Sequence, residues 1–332
     1  MSRFVGRTRE LRQLADLLAR VRTTGEGMIV TIRGRRQVGK STLVEEFLRN
    51  EDVPHVFFAA SFGADPAGQR ASFTAEVAAS TLPSAVIMQD VALSSWEGLL
   101  AVLAEGIRGP SVLVVDELPW LLRADPSFEG ALQTAWDRRL SRRPVLLVLL
   151  GSDLGMMSML GTYGRPLYGR AREMVLDPLT PHDLAELLDV SPVLALEAHL
   201  VTGGFPRIAQ EWSADRSVTG FVRRQLRDST SPLVVVGERV LNAEFPAGLL
   251  ARDVLLAVGG GATAFSRIRD RNGLSEGSLA RTLRVLTEDK RVLLAQRPLS
   301  AQRSRAVQYL VCLLYTSPSP RDRTRSRMPS SA

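Results

Sequence analysis

"IRGRRQVGKSTLVEEF", residues 32–47, decides how this chain is read. It contains Lys40, one of only two lysines in the sequence; the other is Lys290, and forty of the 42 basic side chains are arginine. A position that keeps lysine against so strong a preference points to chemistry that arginine does poorly. The octapeptide Gly34-Arg35-Arg36-Gln37-Val38-Gly39-Lys40-Ser41 fits the pattern G-x-x-x-x-G-K-[ST]. Its glycines let successive backbone N–H groups point into one concavity, which holds phosphate oxygens at a helix N-terminus. A compact ammonium on a flexible stem reaches terminal phosphates, whereas a planar guanidinium expects a fork-shaped partner.

The surroundings suit such a loop. "MIVTIRG" before it reads as a buried strand, and a helix follows over about 40–49. Ahead of both, Leu11, Leu14, Leu18 and Val21 recur at helical spacing over 8–22. Downstream, "HVFFAA", "SVLVVDEL", "VLLVLLG" and "EMVLDP" read as four further strands. Helices over 69–82, 95–106 and 128–141 separate them. Apolar strands without alternation, divided by helices, predict an α/β fold with a parallel sheet covered on both faces.

The third strand ends on a pair of acids. Asp116 at a strand's carboxyl end, beside the phosphate loop, is expected to hold Mg²⁺ through water, with Ser41 as a direct oxygen ligand. Glu117 is expected to orient or deprotonate the attacking water. The residues so far call for a nucleoside triphosphate bound with Mg²⁺ and leave its base open.

Composition narrows the class. The chain has 332 residues, 45% hydrophobic and 23% charged, as in ordinary globular proteins. Its apolar runs are too short to span a bilayer. "MSRFVGRTRE" has no apolar core of a signal peptide, so a cytoplasmic location with no membrane partner is expected. One cysteine and three scattered histidines, His55, His182 and His199, leave no metal cluster by the usual spacings. The last stretch, "CLLYTSPSPRDRTRSRMPSSA" at 312–332, is aperiodic. It resembles the translation of a transposon-based sequencing adapter and is expected to be a non-native tail. Without its four arginines and one aspartate, the net charge of +7 becomes +4.

"FVGRTREL", "GRRQVGKST", "VLVVDELPWLL", "LLGSD", "LYGRAREMVLDPLTPHDL" and "TGGFPRI" occur in that order over residues 3–215. In this the chain resembles the archaeal-type ATPases, a branch of the AAA+/STAND group of P-loop NTPases. The resemblance implies a P-loop core over 1–178, a small helical lid over 179–230 and a linker over 231–247. A winged helix-turn-helix over 248–311 is implied more loosely. It implies a nucleotide site built from Gly34, Arg35, Gln37, Val38, Gly39, Lys40, Ser41 and Thr42. Val5, Gly6 and Arg7 would lie near the adenine, and Pro206 would meet the base from the lid. It further implies a catalytic set of Glu117, Ser152 as a polar sensor touching the γ-phosphate or the water, and Arg170 as the arginine that stabilises charge on the transferred phosphate. Asp153 and Asp177 read as turn or cap residues.

The C-terminal part reads as three short helices and a two-strand pattern, the order of a winged helix. Leu279, Leu283 and Leu286 would face the core of its third helix. Arg281 and Arg284 would face outward, with Arg303 and Arg305 in the wing, as candidates for DNA contact. The same face also suits a protein partner, and nothing in the sequence sets an oligomeric state. Two functions therefore stand: an Mg²⁺-dependent ATPase that switches lid and winged helix, and a nucleotide-gated DNA-binding regulator with little or no hydrolysis.

Overall fold

The computed structural model describes residues 4–88, 94–212, 217–235, 249–289, 292–297 and 307–311. The chain divides into two compact units, Met1–Leu176 and Asp177–Ala332.

The first unit runs α1 (Thr8–Thr24), β1 (Met28–Arg33), α2 (Lys40–Glu51), β2 (His55–Ala59), α3 (Pro66–Ala79), α4 (Ala85–Met88), α5 (Trp96–Gly106) and β3 (Ser111–Asp116). It continues with α6 (Leu118–Ala124), α7 (Ser127–Arg138), β4 (Val145–Gly151), α8 (Leu154–Leu160) and β5 (Ala171–Val175). The strands form one five-stranded sheet in the order β2-β3-β4-β1-β5. Every neighbouring pair is parallel.

The apolar runs are continuous because both faces of the sheet are covered. On β4, Val145, Leu147 and Leu149 join one core with Phe73, Trp96, Leu99 and Phe128 from the intervening helices. Leu146, Val148 and Leu150 join the opposite core, with Leu14 and Leu18 of α1 and Leu43 and Phe47 of α2. The period-2 alternation of a strand is present, but each side meets an apolar partner.

Several boundaries differ from the sequence reading. The run "SVLVVDEL" does not remain a strand to its end. Pairing stops at Asp116, Glu117 adopts φ 51°, and α6 starts at Leu118 with Pro119 in its first turn. A proline in the first turn of a helix removes no needed hydrogen bond, so it favours this early helix start. Asp65 caps α3 by accepting from Gly68 N at 2.7 Å, which starts that helix before Gln69. α8 was not legible from apolar spacing; its signal is Asp153, whose side chain accepts from Met156 N at 3.1 Å as an N-cap. β5 pairs with β1 from Ala171 onward, earlier than "EMVLDP" suggests.

In the second unit, α9 (Pro181–Leu188) and α10 (Pro192–Thr202) each follow a capping hydroxyl, Thr180 and Ser191. Gly203 ends α10 with φ 62°. Gly204 has φ 72°, and a Cβ there would lie 2.2 Å from the Leu179 carbonyl oxygen. α11 (Pro206–Ala209) and α12 (Val218–Arg227) follow. Phe205, Ile208, Trp212 and Phe221 form their core. Next come α13 (Leu249–Gly259), α14 (Phe265–Asn272) and α15 (Glu276–Arg284), the last running into a π-helical turn over Val285–Asp289. β6 (Leu293–Gln296) and β7 (Gln308–Val311) pair antiparallel. Ile268, Leu279, Leu283, Leu286 and Leu293 share a separate core here. Most of the expected linker, Arg303, Arg305 and the 312–332 tail lie outside the described residues.

Candidate functional site

The carboxyl ends of β1, β3 and β4 meet at one edge of the sheet, where open α/β sheets carry their ligands. The octapeptide from Gly34 to Ser41 leaves β1 and enters α2. Its backbone is shaped by φ 64° at Gln37 and φ 95° at Gly39, which caps the helix. Gly34 is required for another reason: a Cβ would lie 2.6 Å from the Leu176 carbonyl oxygen.

Lys40 is buried at 6% exposure. Its Nζ donates to the carbonyls of Gly34 at 2.9 Å and Arg35 at 3.0 Å. The ammonium thus folds back on the loop that would present it to phosphates. Arg7, with φ 62° at the start of α1, donates from Nη2 to the Val38 carbonyl at 3.1 Å. Because the peptide is planar and trans, that bond turns the Gly39 N–H to the opposite side. Arg7 therefore reaches the phosphate loop from the start of α1.

Across the sheet edge, Ser41 Oγ donates to Asp116 Oδ2 at 2.5 Å. Asp116 is buried, and its Oδ1 accepts from Glu117 N at 2.8 Å. Glu117 Oε2 accepts from Ser152 Oγ at 2.8 Å and from Ser152 N at 3.4 Å. Ser152 is buried at the end of β4. The two carboxylates take different partners, one toward the phosphate loop and one toward β4. A hydroxyl and a carboxylate side by side are hard oxygen donors, the set that Mg²⁺ takes alongside phosphate oxygens. The Gln37 Oε1, buried in the loop, has no hydrogen-bond partner among the described residues.

Residues 3–149 match the AAA ATPase domain family. A curated protein of Methanocaldococcus jannaschii, MJECL04, described as uncharacterized, is 26% identical over 168 residues, which cover 50% of this chain and 34% of that protein. The chain thus spans about a third of the length of the curated relative it matches. Among solved structures, a Walker-type ATPase of Pyrococcus abyssi superposes with TM-score 0.65 at 20% identity, covering 93% of each chain. The ORC2 protein of Aeropyrum pernix, solved as ADPNP–ADP complexes, gives TM-score 0.60 at 15% identity, over 92% of this chain and 89% of that one. Likeness at this identity shows the fold, that of a P-loop NTPase with its parallel sheet between helices. Together with the domain match over residues 3–149, it supports a nucleotide-binding ATPase domain in that part of the chain.

The other expected site residues are distributed as follows. Thr42 sits exposed in the first turn of α2. Arg170 is engaged elsewhere: Nε and Nη2 each donate to Asp137 at 2.8 Å, and Nη1 donates to the Pro166 carbonyl at 2.8 Å. The Asp137 hydrogen bond and charge raise the Arg170 pKa. Pro206 opens α11 in the second unit. Arg281 is exposed, and Arg284 pairs with Glu288 at 3.0 Å. Sequence reasoning missed Trp120, whose ring stacks under Arg36 and meets Phe62 edge-on at 5.6 Å. An aromatic residue three positions after Glu117 was the available signal. It also missed Arg123, which pairs with Asp153 beside Ser152.

Among the described residues, no helix is long and apolar enough to cross a membrane.

Proposed function

We propose that the chain is an Mg²⁺-dependent ATPase that hydrolyses ATP to ADP and phosphate, and that hydrolysis repositions the helical lid and a winged helix-turn-helix. The observation that carries this reading is the hydrogen-bonded line Ser41–Asp116–Glu117–Ser152 beside Lys40. It supplies each group that phosphoryl transfer to water needs. Lys40 and the loop N–H groups neutralise and position the phosphates. Ser41 and Asp116 would hold Mg²⁺, which when bound neutralises charge on the β- and γ-oxygens. Glu117 accepts the proton of the attacking water, and Ser152 holds its carboxylate in place. Val5, Gly6 and Arg7 flank the nucleotide. The core, lid, linker and winged-helix boundaries near 178, 230 and 247 follow the same reading.

The test is steady-state ATP hydrolysis with and without Mg²⁺, compared with Glu117→Gln. Tight ATP binding without turnover in the variant supports the ATPase; equal turnover in both removes it.

A second reading keeps one specific observation. Arg281 on α15 is exposed, has no ion pair among the described residues, and lies beside the small Gly277 and Ala280. Small neighbours let a helix approach a groove closely. A nucleotide-gated DNA-binding regulator, or a protein-contact module on the same face, follows from it. Hydrolysis measured with and without duplex DNA separates them, since DNA acting through the site changes the rate.

A further inference from the structure

Arg36 stands third in the phosphate loop. Its guanidinium carbon lies 5.2 Å from the centroid of the Trp120 ring. It makes no ion pair among the described residues. The cation is therefore held over an aromatic face rather than by a carboxylate.

Both partners of this stack belong to the site. The Lys40 ammonium returns to within 3.0 Å of the Arg35 carbonyl, so Arg36 continues the chain from the point where the phosphate-binding ammonium rests. Trp120 lies in the first turn of α6, whose N-cap is Glu117. The guanidinium is parked between the loop that holds phosphates and the turn that holds the base. Contact with an aromatic face is a modest attraction for a guanidinium. A phosphate offers charge-assisted, two-pronged hydrogen bonds, which are stronger.

Arg170 offers the opposite case. Its three guanidinium nitrogens are all occupied, by Asp137 and the Pro166 carbonyl. Leaving those partners would give up a two-pronged ion pair and a backbone hydrogen bond, whereas leaving the Trp120 ring gives up one aromatic contact.

We propose that Arg36, moving from the Trp120 ring to the γ-phosphate oxygens when ATP binds, is the arginine that neutralises charge on the transferred phosphoryl group. This rests on the ATPase reading above. In the step it serves, the water oxygen bonds to the γ-phosphorus and the bond from that phosphorus to the bridging oxygen breaks. The electron pair leaves on ADP, and the water proton passes to Glu117. Arg36 keeps its proton throughout and lowers the energy of the charge that spreads over the γ-oxygens.

The experiment separates contact from turnover. In full-length Glu117→Gln protein, ATP and ADP are titrated while tryptophan emission is followed, with Trp120→Phe in the same background to isolate this ring among the four tryptophans. ATP, but not ADP, is expected to change the Trp120 emission. Adding Arg36→Ala should abolish that change and weaken ATP at least about tenfold while sparing ADP. In the chain with Glu117 intact, Arg36→Ala should lower kcat about 100-fold, and Arg36→Lys should restore part of it. Full turnover and an unchanged ATP-over-ADP preference in Arg36→Ala would overturn the proposal. So would the same pattern of losses appearing in Arg170→Ala instead. If the native chain hydrolyses no ATP, the ATPase reading fails, while emission and affinity still decide the Arg36 contact.

Discussion

Ser152 Oγ donates a 2.8 Å hydrogen bond to Glu117 Oε2, tying the end of β4 to the end of β3. Glu117 adopts φ 51°, a conformation that costs a non-glycine residue about 1–3 kcal/mol. The strain and the hydrogen bond together fix one carboxylate at the edge of the phosphate loop. Gly151 makes the approach feasible, since a Cβ there would meet the Pro119 ring at 2.8 Å and the Met157 sulfur.

This relationship gives the first expectation. Glu117→Gln keeps the shape and removes the base, so kcat should fall about 10²–10⁴-fold with ATP affinity retained. Ser152→Ala leaves the base present and less well aimed, so kcat should fall less, with little change in KM. Single-turnover kinetics on both variants checks the order. A Ser152→Ala enzyme slower than Glu117→Gln would mean that Ser152 acts on the phosphate directly.

Lys40 and Asp116 should fail in different ways. Lys40→Ala removes the buried ammonium from the loop and should abolish measurable ATP binding, with the fold preserved in circular dichroism. Asp116→Asn keeps the hydrogen-bonding shape next to Ser41 and loses the charge. ATP should still bind, but the Mg²⁺ concentration needed for half-maximal turnover should rise. Calorimetric titration with and without Mg²⁺ distinguishes the two, and unchanged affinity in Lys40→Ala would remove the phosphate loop as the nucleotide site.

The positions of the phosphate loop and the acidic pair were legible because local sequence sets them, whereas Ser152 entered only through the family resemblance. Glycines at positive φ, a lysine at a helix start and acids at a strand end leave fixed spacings. The strand order was not legible, since β4 sits between β1 and β3 only through crossovers the residues do not record. The Arg170–Asp137 pair was equally hidden: Asp137 lies at the end of α7, and nothing near Arg170 in sequence announces it. The Arg36–Trp120 stack joins two motifs that were each visible, and only folding shows that they touch.

Asp125 makes an acid-sensitive joint in the first unit. Arg70 and Trp96 donate to its Oδ2 at 2.7 and 2.9 Å, and Ser127 donates to Oδ1 from its hydroxyl at 2.5 Å and its backbone at 3.2 Å. Burial, the largest single influence, pushes its pKa up. The Ser127 and Trp96 hydrogen bonds and the Arg70 charge together outweigh it, and the net pKa is lowered. The folded state thus holds the proton less tightly than the unfolded chain. The stability Asp125 adds is present above the unfolded pKa of about 3.9 and is lost as pH falls through the lower folded value. Asp125→Asn should cost about 3 kcal/mol at pH 7 and less at pH 3. Urea denaturation at both pH values measures this, and an equal loss at both would show that the charge contributes nothing.

The DNA reading makes the most demanding prediction, because much of the basic face is already neutralised. Arg269 pairs with Asp270 and Glu276 at 2.9 Å each, and Arg284 pairs with Glu288 at 3.0 Å. Arg281 is the outward arginine of α15 with no ion pair among the described residues. If α15 enters a groove, Arg281→Ala should cost about 1–3 kcal/mol and relax preference at one base pair. Glu288→Gln removes the acidic partner that Arg284 has at 3.0 Å, so it should tighten binding to all sequences and steepen the salt dependence, by at most about 0.9 in log–log slope. Replacing Arg303 and Arg305 by alanine should flatten the same slope by up to about two units. Anisotropy titrations over a range of salt, with ATP present, read all three. No binding at micromolar protein in low salt would transfer the face to a protein partner. The outer side of the β6–β7 pair would then be its first contact, because Leu294 and Leu310 stand opposite each other there, 46% and 38% exposed.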